Sequence, residues 1–516
     1  MTDAGAPLDL RLALVDEAAT VALAEDLAAC LAVGDVVALV GDLGAGKSTL
    51  ARALIRTLAA DDGLEVPSPT FTLVQSYDLG RLRLAHFDLY RLSDEGELDE
   101  LGFDEAVADG VVVVEWPDRA GGRLPENALI VAIGSGGTAT SREVRLIGPG
   151  ERWRRRIERT RALRAFLDAA GRPGAHRRHL QGDASSRSYE RVFDDHGTAV
   201  LMNHPAEPDD AGARARIAAR AAARLAEGPR PFLALALGLA SVGVSVPKVL
   251  AHDLDAGMML LEDLGSEFCM AGDPPRPMRE RYVAAVELLA DLHGRELPTV
   301  LPDGVGGRYA LPAYDQGNLD AEVSVFLDWG IPHLVGRAAT AEERARFLEI
   351  WRPLFAEILA GPRTWCLRDY HSPNILWLAE RAGLARVGVL DFQDTILGHP
   401  AYDVVSIAQD ARVDVSRALE AELIAAYVAA RRARDSAFDE AAFRRAYAIL
   451  AAQRNTRILG VFARLRARDG KPQYLRHMPR LWDYLGRVLD GAVLQPLKLW
   501  YEEAVPGDRR QTRSSD

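Results

Sequence analysis

Residues 365–376 read WCLRDYHSPNIL, and Asp369 stands five positions before Asn374. Asp391 follows 17 positions after Asn374, closing the strand-like run ARVGVLDFQD. A carboxylate and an amide at that spacing, with a second carboxylate at the end of the next strand, suit phosphoryl transfer. Asp369 orients a hydroxyl and accepts its proton, while Asn374 and Asp391 hold Mg²⁺. A second phosphate-handling pattern lies far upstream, where Gly41, Gly46, Lys47 and Ser48 spell G-x-x-x-x-G-K-S. There Leu43, Gly44, Ala45 and Gly46 offer backbone N–H groups to phosphate, Lys47 reaches the β/γ-phosphates, and Ser48 ligates Mg²⁺. Both patterns imply ATP.

Each pattern needs elements that position it. The upstream loop follows the β-run VVALV (36–40) and precedes an amphipathic helix, the context that turns a chance match into a site. Its magnesium needs a carboxylate at a strand end. Glu115, closing VVVVE, fits best and Asp88 in HFDLYR is second, although either could simply cap a strand. Thr70 in SPTFTLVQSY supplies a switch-like hydroxyl or a turn cap. Around the downstream loop, LLEDLG (260–265) is a hinge meeting adenine through Glu262 and Leu264, or an ordinary strand-to-helix turn. GDASSRSYERV (182–192) is a phosphate-covering hairpin or a plain one. Asp403 is expected to brace the catalytic lobe rather than touch substrate.

At 516 residues the chain exceeds one hydrophobic core. Residues 9–150 alternate strand and helix, as in a parallel sheet covered by helices. Residues 151–172 form an arginine-rich connector, read as a helix with a solvated charged face. From 173 to 500 a small β-rich lobe precedes a large helical one, and 501–516 read as a disordered tail. The expected fold is therefore an α/β P-loop NTPase domain followed by an α+β bilobal, protein-kinase-like domain.

Charge is uneven. Residues 1–150 hold 11 Lys and Arg against 25 Asp and Glu, so this part docks onto proteins rather than gripping nucleic acid directly. Three scattered cysteines argue for reduced thiols rather than disulfides or zinc. With neither a signal-like N-terminus nor a long uncharged apolar run, a cytoplasmic location without membrane contact is expected.

Taken together, GDLGAGKST, SPTFTLVQSY, HFDLYRL, ELGFDE and VVVVEWPDRAGGRLPENAL resemble the TsaE family, small ATPases of tRNA threonylcarbamoyladenosine (t6A) biosynthesis. That resemblance implies TsaD and TsaB-like partners. By matching position it places Lys47, Ser48 and Thr49 in the nucleotide loop, Glu115 at the magnesium, Asp88 and Thr70 in the catalytic surroundings, and Arg142 near nucleotide. LRDYHSPNIL and LDFQDTILGHPAYDVVSIAQDARV resemble the aminoglycoside phosphotransferase family. Within it they are similar to the AmgK-type kinases of N-acetylmuramate and N-acetylglucosamine, implying phosphorylation of a sugar C1 hydroxyl in cell-wall recycling. Met202 stands near where that family carries a lysine. This departure keeps two other readings open: a pseudokinase that tethers or regulates the ATPase, or a kinase of another amino sugar or an aminoglycoside.

Overall fold

The structure, a computed structural model, describes residues 6–180, 187–206, 224–226 and 228–510, with residues 212, 214 and 217. Residues 182–186 of the expected phosphate-covering hairpin lie outside the described residues. The chain forms two compact units, one of Met1–Pro205 with Leu250–Asp263 and one of Ala206–Val249 with Leu264–Asp516.

In the first unit a seven-stranded sheet carries the upstream loop. Its strands are β1 (Leu8–Leu14), β2 (Val36–Val40), β3 (Val74–Asp78), β4 (Arg83–Asp88), β5 (Val111–Glu115), β6 (Leu129–Ser135) and β7 (Arg142–Gly148), in the order β1-β7-β6-β2-β5-β4-β3. Strands β6, β2, β5 and β4 run parallel, and the flanking pairs are antiparallel. All five residues of β5 are buried, as befits an unbroken valine run covered on both faces. Helices α1 (Glu17–Cys30) and α2 (Lys47–Ala59) contribute Leu23, Leu27, Leu50 and Leu54 to one core with Val37 and Val113. Phe87, Val112, Val114 and Phe103 form another, and the alternation of Val112, Val113 and Val114 between the two shows the pleat at work.

Helix α3 (Gly150–Ala169) corrects the reading of the arginine run. Its Trp153 and Ile157 belong to the core of the first sheet, whereas Leu163 and Leu167 belong to a different core. That second core covers a five-stranded antiparallel sheet of β8 (His176–Leu180), β9 (Ser188–Asp194), β10 (Gly197–Asn203), β11 (Val249–Asp253) and β12 (Met258–Glu262), ordered β11-β12-β10-β9-β8. The arginines of α3 do not form a plain solvated face. Arg152 and Arg156 both pair with the buried Asp35, at 2.6 and 2.7 Å, and Arg164 pairs with Asp26 at 2.8 Å. A charge run reads as solvated when its partners are distant in sequence, and here they are more than a hundred residues away.

The second unit is mainly helical: α4 (Arg230–Ser241), α5 (Arg279–His293), α6 (Gln316–Val325), α7 (Ala341–Ala360), α8 (Ala401–Ala408), α9 (Arg417–Arg434), α10 (Glu440–Asp469), α11 (Met478–Leu489) and α12 (Gln495–Ala504). Short antiparallel pairs hold the downstream loop: β13 (Thr364–Cys366) with β16 (Ile396–Gly398), and β14 (Ile375–Trp377) with β15 (Val387–Val389). Helix α12 continues through Ala504 with Trp500 and Tyr501 buried, so structure persists past the point where a tail was expected at 501. Residues 511–516 lie outside the described residues. No helix among the described residues is long and apolar enough to cross a membrane.

Candidate active sites

The upstream loop is shaped by glycine. Gly41, Gly44 and Gly46 have φ of 153°, 79° and 110°. A Cβ at Gly41 would lie 2.4 Å from the Ile133 carbonyl oxygen, so the backbone itself fills that space. Helix α2 starts at Lys47 with no side-chain cap, which leaves its first N–H groups to an anion. A cavity of about 310 Å³ is lined by Asp42, Leu43, Gly44, Ala45, Thr138 and Arg142. Arg142 Nε donates to the Ala45 carbonyl at 2.8 Å, so this arginine clamps the loop as well as facing its cavity. Thr49 lines a different cavity, with Arg52, His176 and Arg178.

The strand ends deliver the carboxylates as expected. Asp88 and Glu115 are register partners on β4 and β5, and both are buried. Ser48 Oγ donates to Glu115 Oε2 at 2.9 Å, and Thr70 Oγ1 donates to Asp88 Oδ2 at 2.7 Å. Lys47 Nζ donates to the carbonyls of Gly41 and Asp42 at 2.8 and 2.9 Å and lies 3.8 Å from the centre of the Trp116 ring. Burial pulls the Lys47 ammonium below the ordinary lysine value, and the carboxylates of Glu115, Asp88 and Asp42 oppose that pull. A hydroxyl and a buried carboxylate in direct contact are hard oxygen donors of the kind Mg²⁺ takes, so Ser48 and Glu115 fit the ion. His86 was not expected. Its Nε2 lies 3.0 Å from Glu115 Oε1, and both side chains are almost wholly buried. The alternation that buries His86 is visible in LRLAHF, but its partner 29 residues away is not.

The downstream loop is held from behind. Arg368 and Asp391 have positive φ, 65° and 54°, which is uncommon for residues with side chains and concentrates at functional sites. Asp403 Oδ2 accepts from the Leu367 N–H at 2.6 Å and its Oδ1 from the Arg368 N–H at 2.9 Å. The brace falls on the loop itself, more local than the bracing of the lobe that was expected. Asp410 likewise accepts from the Ser372 N–H at 2.7 Å. The Asn374 amide donates to the Asp369 carbonyl at 2.9 Å, and the Leu390 N–H donates to the Asn374 carbonyl at 2.8 Å. The pairing of β14 with β15 thus continues to Asn374 and Leu390, one residue before Asp391, while the Asn374 amide reaches the Asp369 backbone. Gln393 Nε2 donates to Asp391 Oδ1 at 2.8 Å. Burial alone would raise the Asp369 pKa, but His371, Arg457, Arg368 and Arg454 outweigh it and hold the carboxyl below its ordinary range.

Glu322 was also missed, because nothing local marks it. Arg368 Nη2 donates to Glu322 Oε1 at 2.6 Å and Gln453 Nε2 donates to Glu322 Oε2 at 2.7 Å. It joins α10 to the residue before Asp369. Of the hinge candidates, Glu262 ends β12 opposite Ala199 in the first unit, and Leu264 opens the second stretch of the other unit. Met202 is buried in β10.

A phosphate loop backed by strand-end carboxylates, and an Asp–Asn–Asp loop with a strained backbone, define an enzyme of phosphate chemistry with a P-loop domain and a kinase-like phosphotransferase domain. The model of the phosphotransferase enzyme family matches residues 176–444, and that of the threonylcarbamoyl adenosine biosynthesis protein TsaE matches residues 14–144. The chain belongs to the phosphotransferase enzyme family and carries a TsaE domain ahead of it. It is 40% identical over 367 residues to an N-acetylmuramate/N-acetylglucosamine kinase of Caulobacter vibrioides, covering 69% of this chain and 99% of that protein. A kinase of the same name from Pseudomonas aeruginosa is 33% identical over 308 residues, 59% of this chain and 80% of the relative. The TsaE protein of Aquifex aeolicus is 40% identical over 106 residues, 20% of this chain and 75% of the relative.

Proposed function

We propose that the chain is a bifunctional enzyme. Residues 9–150 form an ATPase that supports t6A modification of tRNA together with TsaD and TsaB-like proteins. Residues 173–500 form a kinase that transfers phosphate from ATP to the anomeric hydroxyl of N-acetylmuramate and N-acetylglucosamine. In the kinase domain the Asp369 carboxylate accepts the sugar hydroxyl proton, and Asn374 and Asp391 are the residues that would hold Mg²⁺. The ion, when bound, offsets charge on the transferring phosphoryl group. In the first domain Lys47 and the N-terminus of α2 receive phosphates, Ser48 and Glu115 would hold Mg²⁺, and Asp88 with Thr70 sits in position to orient an attacking water.

The observation that carries the kinase reading is the pair of hydrogen bonds that tie Asn374 to the Asp369 backbone and to Leu390, the residue before Asp391. Kinship over almost the whole length of the Caulobacter kinase supports the substrate. The buried Met202 favours the second reading, a pseudokinase that tethers the ATPase, since no side-chain cation stands on that strand position. Retention of base and both metal-binding side chains opposes it. Incubation of purified protein with ATP and, separately, N-acetylmuramate, N-acetylglucosamine and kanamycin separates these readings. Turnover of the N-acetyl sugars is expected, lost in Asp369→Asn and kept in Lys47→Ala; no sugar phosphate in any arm would leave the pseudokinase. For the first domain, Lys47→Ala is expected to abolish support of t6A formation in a reconstituted system.

A further inference from the structure

Arg368, the residue before the proposed base, is fixed at both its main chain and its side chain. Asp403 takes its N–H, and the Ser406 hydroxyl donates to its carbonyl at 3.1 Å. The side chain is wholly buried, a rare place for a guanidinium unless it is paired. Its Nη2 donates to Glu322 Oε1 at 2.6 Å and its Nη1 to the Arg224 carbonyl at 3.3 Å. Two residues past Arg224, the Ala226 N–H donates to Asp394 Oδ1 at 2.6 Å, so one short segment touches both Arg368 and the loop that follows Asp391. Glu322, on α6, is buried too, and other groups converge on it. The Tyr314 hydroxyl donates to its Oε1 at 3.2 Å, Gln453 Nε2 donates to its Oε2 at 2.7 Å, and Arg457 Nε stands 3.9 Å from Oε1.

A buried ion pair gains little over apolar packing of the same volume, because both ions give up their water. A long charged side chain on a left-handed backbone, φ 65°, is therefore a poor device for stability alone. Direction is what the pair supplies. The planar fork of Arg368 meets Glu322 in one orientation, and that orientation fixes the Cα from which the next peptide carries Asp369. We infer that Glu322 is a positioning residue for phosphoryl transfer, acting through Arg368 to hold Asp369 where it accepts the proton of the acceptor hydroxyl. This rests on the kinase reading proposed above. Glu322 works here without touching sugar or nucleotide, so it bears on the rate of the chemical step and leaves binding alone. A purely structural ion pair would instead show in melting and spare the turnover of the folded enzyme.

The test is steady-state kinetics with ATP and both N-acetyl sugars, well below the melting temperature of each protein, on the full-length wild type, Glu322→Gln, Arg368→Met and the double variant. Glu322→Gln keeps size and removes charge, and the buried Gln453 Oε1, which has no hydrogen-bond partner among the described residues, can receive the new amide. Arg368→Met leaves Glu322 its contacts with Arg457, Gln453 and Tyr314. In each single variant kcat is expected to fall on the order of 10- to 100-fold with KM for ATP and sugar within about twofold, since a catalytic group displaced by about 1 Å loses about 100-fold. The double variant is expected to match Arg368→Met, because Glu322 has nothing left to act through. Wild-type kcat in Arg368→Met, or losses that multiply in the double variant, overturns the inference and assigns the pair to structure. If Arg368→Met does not fold by circular dichroism, Glu322→Gln decides alone by the same division between kcat and KM. Wild-type protein that phosphorylates neither sugar overturns the kinase reading and this inference with it, whereas unchanged kcat in variants of an active enzyme overturns only the inference.

Discussion

Asp403 holds the backbone of Arg368 in a left-handed conformation. Its carboxylate accepts the Arg368 N–H at 2.9 Å while that residue sits at φ 65°. The strain sits one residue before the proposed base, and Asp403 is wholly buried, so the loop is positioned by a group that touches no substrate. Asp403→Asn replaces one acceptor oxygen with an NH₂ facing an N–H donor. Thermal unfolding is expected to show a loss of about 3 kcal/mol, and sugar turnover should fall chiefly in kcat. Asp403→Asn with wild-type kcat would show that the loop holds its shape without this brace.

His86 orients Glu115 as Glu115 orients Ser48. Removing the 3.0 Å contact with His86→Phe keeps the ring volume and frees the carboxylate to turn. Groups that position metal-binding side chains typically cost 10- to 100-fold in metal affinity when lost. ATP hydrolysis by the first domain, measured against Mg²⁺ concentration, should require on the order of tenfold more ion, with thermal stability close to wild type.

Arg177 is wholly buried between two carboxylates, donating to Glu190 at 2.7 Å and to Asp26 at 3.0 Å. One anion comes from the seven-stranded domain and the other from the five-stranded sheet. Arg177→Met leaves Glu190 buried without its cation while Asp26 keeps Arg164, a change that costs roughly 3 kcal/mol. Differential scanning calorimetry should show the transition of the first unit shifted down. A variant that melts like wild type would mean that Glu190 finds another partner or a proton.

Acid should weaken the second unit through its buried histidines. Burial, aided by the neighbouring His293, pushes the His399 pKa down to about 4, and burial moves His293 and His371 the same way. The unfolded state therefore binds more protons between the unfolded value of about 6.5 and the folded value. Stability is full above about pH 6.5 and declines as pH falls towards 4. His399→Asn can still accept the Ala401 N–H, which His399 Nδ1 accepts at 3.2 Å, and should flatten part of that decline in melts recorded across this range.

What could be read from the chain divides by distance. Lys47, Ser48, Asp369 and Asn374 sit in contiguous loops whose residue types state their chemistry, and strand-end logic placed Glu115 and Asp88 at the loop because a parallel sheet collects its strand ends on one edge. His86 and Glu322 were invisible because their meaning lies in partners tens to more than a hundred residues away. The arginines of α3 misled for the same reason. Local composition made them solvent-facing, and Asp35 and Asp26 made them structural.

Helix α3 has a consequence for how the gene can be divided. Its first half closes the core of one sheet and its second half the core of another, so no cut between residues 150 and 172 leaves both halves whole. Severing before the helix would take Trp153 and Ile157 out of the first core, and severing after it would take Leu163 and Leu167 out of the second. The two sheets share a structural part as well as a chain, and either one made alone would have to inherit or replace that helix.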